Sequence, residues 1–257
     1  MQSDLFPDLD KKTYIMGIIN LTPDSFSGDG LMNQAEVESS ALEQAIRFVR
    51  DGADVLDIGA ESTRPGSRKL AASEELSRLL PALSLIRKEL PDVLLSVDTY
   101  KAETARACLG RGADVINDVW GFQYDPSMAA VVAEFGATAV LMHNRELGAR
   151  PVSSELGGRY EDVEYEDIVS EVCNWLAQSV EIARAAGVSD DKIILDPGIA
   201  SAKLLTKTSS CSNTWMLSRN WVSRYCWVSP AKALLVTRST CPRESGWRAA
   251  WQPTPGG

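Results

Sequence analysis

Polar side chains recur in this chain at the points where short apolar runs end. Asp98, Asn117 and Asp196 each follow such a run directly, and Asn20 and His143 do the same. In parallel α/β proteins the active site forms where strands end and loops begin. A carboxylate accepts two hydrogen bonds and an amide both donates and accepts, so these side chains suit a flat heterocycle that is rich in donors and acceptors.

A single polar residue of this kind has an ordinary structural explanation, because Asp and Asn also serve as helix N-caps and turn formers. Six strand endings in register favour a binding site instead. Two interpretations stay open for His143, the only histidine: a phosphate contact or a satisfied structural residue. Asp24 and Asp57 are also ambiguous: Asp24 is a candidate for ordering the first loop, and Asp57 either caps or pairs within the barrel.

Short apolar runs alternate with longer stretches of helical period, which predicts an α/β fold with a parallel sheet. The predicted strands are Ile15–Ile19, Val55–Ile58, Leu94–Val97, Val115–Asn117, Ala139–Met142 and Ile193–Leu195. The predicted helices are Glu36–Asp51, Ser73–Leu90, Ala102–Gly110, Pro126–Phe135 and Tyr165–Ala186. Three of these helices run into Gly52, Gly112 and Gly187, where glycine is expected to end a helix in the left-handed conformation.

Composition excludes several classes of protein. The 257 residues suit one α/β barrel, and 44% apolar with 24% charged residues is typical of a globular domain. A net charge of -9 argues against a nucleic-acid partner. No signal peptide or apolar span of membrane length is evident, so a cytoplasmic location is expected. The five cysteines form no Cys-x-x-Cys pair, which indicates incidental thiols.

Charge and tryptophan content change after Ile199. Eight basic residues and one acid follow it, for a net charge of +7, whereas 18 basic and 34 acidic residues up to it give -16. Five of the seven tryptophans also lie in this tail. The tail shows no helical face, and Ala233–Val236 is at best one strand. We therefore predict two regions: an incomplete barrel over residues 1–199 and a non-native, frameshifted or disordered tail over residues 200–257.

Specific motifs occur in order along residues 14–199. They are MGIINLTPDSFSGDG from Met16, DIGAESTRPGS from Asp57, SVDTYKAETA from Ser96, GADVINDVWGF from Gly112, LMHN from Leu141 and ILDPGI from Ile194. Together they resemble the dihydropteroate synthases, which are pterin-binding enzymes. The resemblance implies a TIM (β/α)8 barrel in which about six βα units are native-like and the last two are missing or disrupted. It also implies a transferase of folate biosynthesis, in a family that is a target of sulfonamides.

By this resemblance the substrates are 7,8-dihydropterin-6-ylmethyl diphosphate and p-aminobenzoate. Asp98, Asn117 and Asp196 would hold the pterin, and Asn20 would ligate a Mg²⁺ ion that assists the leaving diphosphate. The remaining substrate contacts implied are Thr22, Pro23 and Phe26 in the first loop, Thr63, Arg64 and Pro65 in the second loop, and His143. Family members form homodimers through C-terminal helices that this tail does not show, so dimerisation is not expected here.

In a shifted reading frame, codons for the tail would encode motifs of the same family. Where the family continues with Gly-Phe-Gly-Lys-Thr, this chain has Ala200-Ser-Ala-Lys-Leu204. The loss of one base would convert one possible set of codons for Gly-Phe-Gly-Lys-Thr into codons for Ala-Ser-Ala-Lys-Leu. Shifting Trp227–Leu235 in the same way yields Gly-Ile-Ser-Arg-Lys-Gly-Phe-Ile, the family's seventh-strand motif. The chain as written lacks that lysine and the Arg-x-His of the final strand, so we expect impaired stability and activity.

Two alternatives stay open. A pterin-binding methyltransferase domain shares the barrel and the pterin carboxylates, although the first loop and the STRPG motif speak against it. A non-catalytic remnant that binds pterin, or a partner through its basic tail, would explain the charge asymmetry. Pterin diphosphate binding without a response to methyltetrahydrofolate would exclude the methyltransferase, and unchanged partner binding after deletion of residues 200–257 would exclude a tail-mediated partner.

Overall fold

Six parallel strands make up most of the barrel wall. The computed structural model describes residues 5–8, 12–21, 34–62, 68–144, 150–152, 159–161, 168–198, 224–229 and 233–238. The parallel strands are β1 (Tyr14–Asn20), β2 (Val55–Gly59), β3 (Leu94–Asp98), β4 (Val115–Asp118), β5 (Thr138–Met142) and β8 (Ile193–Asp196). Each pairs with the next in that order. All six predicted strands are confirmed, with ends that differ by a residue.

Five helices alternate with these strands, as predicted. They are α1 (Gln34–Arg50), α2 (Ala72–Glu89), α3 (Ala102–Leu109), α4 (Met128–Phe135) and α5 (Ile168–Ala185). The predicted glycine stops are also confirmed, since Gly52, Gly112 and Gly187 have φ angles of 100°, 95° and 95°. A side chain is strained in this region, so glycine lets the chain turn from each helix toward the next strand. No helix in the described segments is long and apolar enough to cross a membrane.

Two strands from the tail close the sheet. β9 (Arg224–Ser229) runs parallel to β8, and β10 (Ala233–Arg238) runs antiparallel to both β9 and β1. The sheet is thereby a closed barrel in the order β1-β10-β9-β8-β5-β4-β3-β2. The prediction of at most one tail strand, at Ala233–Val236, was therefore wrong. The two strands form a local hairpin with each other, and each also pairs with a strand distant in sequence, β9 with β8 and β10 with β1. No local period of the sequence reveals this pairing.

A short antiparallel hairpin was not predicted. It pairs β6 (Arg150–Val152) with β7 (Arg159–Glu161) between β5 and α5. Its three-residue strands are too short to give a recognisable alternation of polar and apolar residues.

The inner face of the barrel is apolar at one end and polar at the other. Side chains alternate across a strand, so the residues that lie two apart share a face. The amino ends of the strands enclose a cluster of Phe6, Tyr14, Met16, Val55, Val115, Val140 and Ile194. Burial of each large side chain of this kind stabilises the fold by roughly 1.5–3 kcal/mol. Two residues further along the same strands come Asp57, Asn117 and Asp196, at the carboxyl end of the barrel, which we call the mouth.

Candidate active site

Strand register brings three predicted positions, Asn20, Asp98 and Asn117, into one row across the mouth, together with Gly59. Asn20 pairs with Gly59, Gly59 with Asp98, and Asp98 with Asn117. Gly59 leaves room in this row, because a Cβ atom there would lie 3.3 Å from the Cβ of Asp98 and 3.4 Å from its Oδ2. The missing side chain thus permits the Asp98 carboxylate to lie across the neighbouring strand.

Asn117 is oriented by a second carboxylate below it. Its Nδ2 donates a hydrogen bond of 3.0 Å to Oδ2 of Asp57 on β2. With one N–H engaged downward, the Oδ1 acceptor of Asn117 faces away from Asp57. Asp57 therefore pairs within the barrel, the second of the two interpretations left open by its sequence position. Burial raises the pKa of the Asp57 carboxyl.

Asp98 is the most strongly perturbed acid of the mouth. Burial, reinforced by the negative charges of Asp57 and other nearby acids, raises its pKa well above the usual range. Its Oδ1 is buried and accepts no hydrogen bond from any residue that the structure describes. A buried polar atom without a partner costs roughly 1–3 kcal/mol, so a ligand that donates a hydrogen bond here would be favoured.

Asp196 is held by the turn that follows β8. Its Oδ1 accepts a hydrogen bond of 2.8 Å from the N–H of Gly198, and its carbonyl accepts one of 2.9 Å from the N–H of His143. Gly198 has a φ of +69°, and a Cβ there would come within 2.4 Å of the His143 carbonyl oxygen. Burial raises the pKa of Asp196 to about 6. The Asp-Pro-Gly sequence thus fixes the carboxylate on the inner rim.

His143 lies just beyond β5 and is only 3% exposed. Its ring packs edge-on against Trp175 of α5, with 5.6 Å between ring centroids. The backbone of His143 shapes the Asp196 turn, and both interpretations of its side chain, a phosphate contact and a structural residue, stay predictions.

The remaining predicted site residues divide into two groups. Asn20 is exposed at the end of β1. Among the residues that the structure describes, no group of three His, Cys, Asp or Glu side chains could hold a metal ion. The loop positions Thr22, Pro23, Asp24, Phe26, Thr63, Arg64 and Pro65 lie outside the described residues.

Sequence reasoning missed a buried charge cluster behind the mouth. Glu61 accepts hydrogen bonds from Tyr100 and Lys101, and the Lys101 ammonium also bonds Glu75 of α2. Glu61 lies in the second motif and Lys101 in the third, but their contact depends on how two loops and a helix pack. The one signal in the sequence was the acid Glu75 on the predicted apolar face of a helix. Glu75 is 1% exposed in the structure, and a buried acid needs a partner.

Asp118, next to Asn117, has a structural role. Its carboxylate accepts hydrogen bonds from the backbone N–H groups of Trp120 (2.8 Å) and Phe122 (2.9 Å). Burial raises its pKa to about 7, although these bonds oppose the shift. The side chain shapes the turn after β4, which explains why two adjacent polar residues end that strand.

Comparison with known proteins identifies relatives along most of the chain. The family described as pterin binding enzyme matches residues 16–216, beyond the residue 199 at which the resemblance was expected to end. The dihydropteroate synthase of Clostridium beijerinckii is 38% identical over 206 residues, which are 80% of this chain and 70% of that protein. That of Bacillus subtilis is 44% identical over 193 residues, covering 75% of this chain and 61% of that protein.

Solved structures agree with this relationship. A dihydropteroate synthase from Clostridium difficile, crystallised in the presence of pteroic acid, superimposes with a TM-score of 0.72 at 35% identity, covering 84% of this chain and 75% of that one. A dihydropteroate synthase from Anaplasma phagocytophilum with bound 6-hydroxymethylpterin-monophosphate gives 0.69 at 33% identity, covering 82% and 76%.

Proposed function

The chain belongs to the pterin-binding enzyme family, and we propose on that premise that its barrel mouth binds a pterin diphosphate and joins it to p-aminobenzoate. Its relatives are dihydropteroate synthases, enzymes of folate biosynthesis. In this reaction the aromatic amine of p-aminobenzoate attacks the exocyclic methylene carbon of the pterin. The bond from that carbon to the diphosphate oxygen breaks, and the amine loses a proton.

The observation that carries the proposal is the buried, unpartnered Oδ1 of Asp98. The aminopyrimidine edge of a pterin presents adjacent N–H donors, which match the two oxygens of a carboxylate. Asp196 offers a second carboxylate on β8, three strands along the barrel wall from β3, and Asn117 on β4 offers an acceptor and a donor between them. A ring that three side chains contact in this way cannot rotate or slide within its own plane.

Holding the ring fixes the reacting carbon. With the aminopyrimidine edge buried among Asp98, Asn117 and Asp196, the exocyclic methylene group points out of the mouth toward the loops. The carboxylates that accept hydrogen bonds from the buried edge also raise the electron density of the ring. A more electron-rich ring favours departure of the diphosphate. The residues of the barrel therefore bind and orient the substrate, and they exclude water from its polar edge.

Asn20 is our proposed ligand for Mg²⁺. Its amide oxygen suits a hard cation, and diphosphate oxygens and water would complete the coordination. The ion would offset the charge that develops on the leaving diphosphate. Thr22, Pro23 and Phe26 of the first loop and Thr63, Arg64 and Pro65 of the second remain the proposed contacts for the diphosphate and p-aminobenzoate.

Asp98→Asn tests the pterin site directly. Replacing the carboxylate by an amide puts an N–H group opposite a donor of the ligand and removes a charge-assisted hydrogen bond, so binding of 6-hydroxymethyl-7,8-dihydropterin should weaken about 100-fold. Isothermal titration calorimetry on the full chain measures this. Asp190→Asn, at an exposed acid beyond the amino end of β8, serves as the control and should leave the affinity unchanged.

The same titration distinguishes the proposed function from its alternatives. A wild-type chain that binds methyltetrahydrofolate but no dihydropterin diphosphate would contradict the proposal and favour the methyltransferase alternative. Equal binding by Asp98→Asn and the wild type would show that the pterin does not occupy this mouth.

A further inference from the structure

Lys101, which follows Asp98 in the turn after β3, contacts two buried acids at once. Its ammonium bonds Oε2 of Glu61 and donates to Oε2 of Glu75 on α2 at 3.0 Å. The side chains of Glu61 and Glu75 are 5% and 1% exposed. Of the basic side chains that the structure describes, only Lys101 forms an ion pair with either acid. We call these three residues the charge cluster; two carboxylates and one ammonium leave it one negative charge.

Two hydroxyl groups complete the hydrogen bonding of the cluster. The Tyr100 hydroxyl donates to Oε1 of Glu61 at 2.6 Å, and the Thr104 hydroxyl donates to Oε2 of Glu75 at 2.8 Å. These donors are neutral, so they satisfy the carboxylate oxygens without offsetting their charge. Lys101 is therefore the group of this cluster that balances the two acids.

The backbone of the turn after β3 has hydrogen bonds of its own. The N–H of Thr99 donates to the Asn117 carbonyl at 3.1 Å, and the N–H of Lys101 donates to Oγ1 of Thr99 at 3.3 Å. The N–H of Ala102, where α3 begins, donates to Oδ2 of Asp125 at 2.9 Å. The shape of the turn therefore does not depend on the Lys101 side chain, and the distinctive contribution of that side chain is its charge.

Asp98 lies in a strongly negative part of the molecule. After burial itself, the charges of four other acids raise its pKa: Asp57 on β2, Glu75 on α2, Asp118 on β4 and Glu61 after β2. Two of these four belong to the charge cluster. Because the interaction between charges falls only slowly with distance away from water, an ammonium that offsets Glu61 and Glu75 also relieves Asp98.

Bringing three charges out of water costs more in desolvation than their ion pairs return, so stability alone explains the charge cluster poorly. We infer that Lys101 is a positioning residue of the pterin site: its ammonium offsets Glu61 and Glu75, so that Asp98 meets the ligand as a carboxylate. This inference rests on the proposed function, in which Asp98 accepts hydrogen bonds from the N–H groups of the pterin.

Two substitutions in the cluster should have opposite effects, which separates a role of charge from a role of shape. Lys101→Met removes the ammonium but keeps a long side chain, so two uncompensated carboxylates remain. Glu75→Gln removes one negative charge and keeps an oxygen that can accept from Lys101 and Thr104. Lys101→Arg retains the positive charge. Lys12→Met is the matched control, because Lys12 pairs with Asp54 at the amino end of the barrel.

Calorimetric titration of the full chain with 6-hydroxymethyl-7,8-dihydropterin at pH 7 gives the first readout. Lys101→Met should bind about tenfold more weakly than the wild type, the effect of a pKa shift of about one unit at Asp98, and Glu75→Gln should bind more tightly. The double variant Lys101→Met/Glu75→Gln again has one negative charge and should recover most of the lost affinity. Lys101→Arg and Lys12→Met should match the wild type. Weaker binding by both single variants, or unchanged binding by Lys101→Met, would overturn the inference.

The pH profile of binding gives the second readout. The affinity lost in Lys101→Met should return as the pH is raised from about 6 to about 9, because Asp98 then regains its charge. The titration of the ligand itself is common to all variants and cancels in the ratio to the wild type. No metal is added, and β2 separates Asp98 from Asn20, the proposed Mg²⁺ ligand. A loss that stays constant over this range would indicate a damaged shape and overturn the inference.

Carboxyl-carbon NMR addresses the charge of Asp98 without a ligand. The Asp98 signal, assigned by its absence from Asp98→Asn, should titrate about one pH unit higher in Lys101→Met and lower in Glu75→Gln. If the wild type binds no dihydropterin at any pH, the proposed function fails, and this titration alone decides whether Lys101 sets the charge of Asp98. Unchanged midpoints in both variants would overturn the inference whether or not the ligand binds.

Discussion

The carboxylate of Asp196 makes the stability of the barrel depend on pH. Its pKa is about 6 in the folded chain because it is buried, against 3.8 when exposed. The folded state therefore binds more protons between these values, so the stability contributed by this group is fully present below about pH 4 and is lost as pH rises through about 6. By the linkage relation, the loss amounts to roughly 3 kcal/mol.

Asp196→Asn should remove this dependence, because the amide stays neutral and its oxygen can still accept the Gly198 N–H. Relative to wild type, the variant should gain roughly 3 kcal/mol of unfolding free energy between pH 4 and pH 7, measured by urea titration. In the control Asp190→Asn, the change over this interval should be near zero, since hydrogen bonding to Arg184 lowers the pKa of Asp190 and its titration therefore lies below about pH 4. Parallel pH curves for wild type and Asp196→Asn would contradict the prediction.

Gly59→Ala should weaken pterin binding by disturbing a neighbour. The added Cβ would lie 3.3 Å from the Cβ of Asp98, so that side chain must move by a few tenths of an ångström. We expect an affinity for 6-hydroxymethyl-7,8-dihydropterin about tenfold lower, with a cost in stability of about 1–2 kcal/mol. In the control Gly110→Ala, the new methyl group meets the carbonyls of Arg106 at 3.3 Å and Ala107 at 3.6 Å, remote from the mouth, and affinity should not change.

At this scale the sequence indicates which residues share the mouth but not how they are supported. Asp98, Asn117 and Asp196 were predictable because parallel strands must present their carboxyl ends on one side. The bond from Asn117 to Asp57, and the cluster around Glu61, were not, because side-chain pairs 40 to 60 positions apart depend on register and helix packing.

At the scale of elements, Arg87 near the end of α2 connects two loops at the amino end of the barrel, the one between α2 and β3 and the one between α3 and β4. Its guanidinium donates to the carbonyls of Pro91, Val93 and Gly112 and to the carboxylate of Asp114. The same Asp114 oxygen accepts the N–H of Leu95 at the start of β3. A lysine has three donors on one atom and cannot span these acceptors.

Arg87→Lys should therefore destabilise the chain by about 2 kcal/mol, since the partly buried bonds to the Val93 carbonyl and the Asp114 carboxylate cannot both be kept together with the exposed ones. Thermal or urea unfolding measures the loss, and pterin affinity, set at the opposite end, should be unaffected. Arg184→Lys is the control: that arginine bonds the exposed Asp190 and Glu181 and should change stability little. Equal effects for the two variants would show that Arg87 contributes only a surface charge.

Local signals predicted these elements well where the period was long enough to recognise. The five helices and six parallel strands follow from apolar spacing and glycine stops, all of which lie within a few residues of one another. The hairpin β6–β7 and the strand β9 escaped prediction because their pairing, rather than their composition, makes them strands.

At the scale of the molecule, the hairpin of β9 and β10, which closes the barrel, changes which strand ends reach the mouth. β10 pairs Ala233 with Gly17 and Val236 with Tyr14, so it runs toward the amino end of β1 and finishes at the bottom of the barrel. In a complete barrel of eight parallel strands, all eight carboxyl ends would meet at the mouth. This chain presents seven, and the position at which the family's last strand delivers its diphosphate-binding Arg-x-His is occupied by the start of a strand.

Restoring one base near codon 200 should recover a complete site. DNA sequencing across codons 195–240 tests for the base, and the restored frame is expected to encode Gly-Phe-Gly-Lys-Thr and Ser-Arg-Lys, followed by a parallel eighth strand. Protein from that frame should release diphosphate from 7,8-dihydropterin-6-ylmethyl diphosphate and p-aminobenzoate at least 100-fold faster than the chain as written, because the motif lysine and the last-strand arginine then reach the substrates. A chain as written that turns over at the rate of the restored protein would show that the antiparallel closure is itself a working form of this barrel.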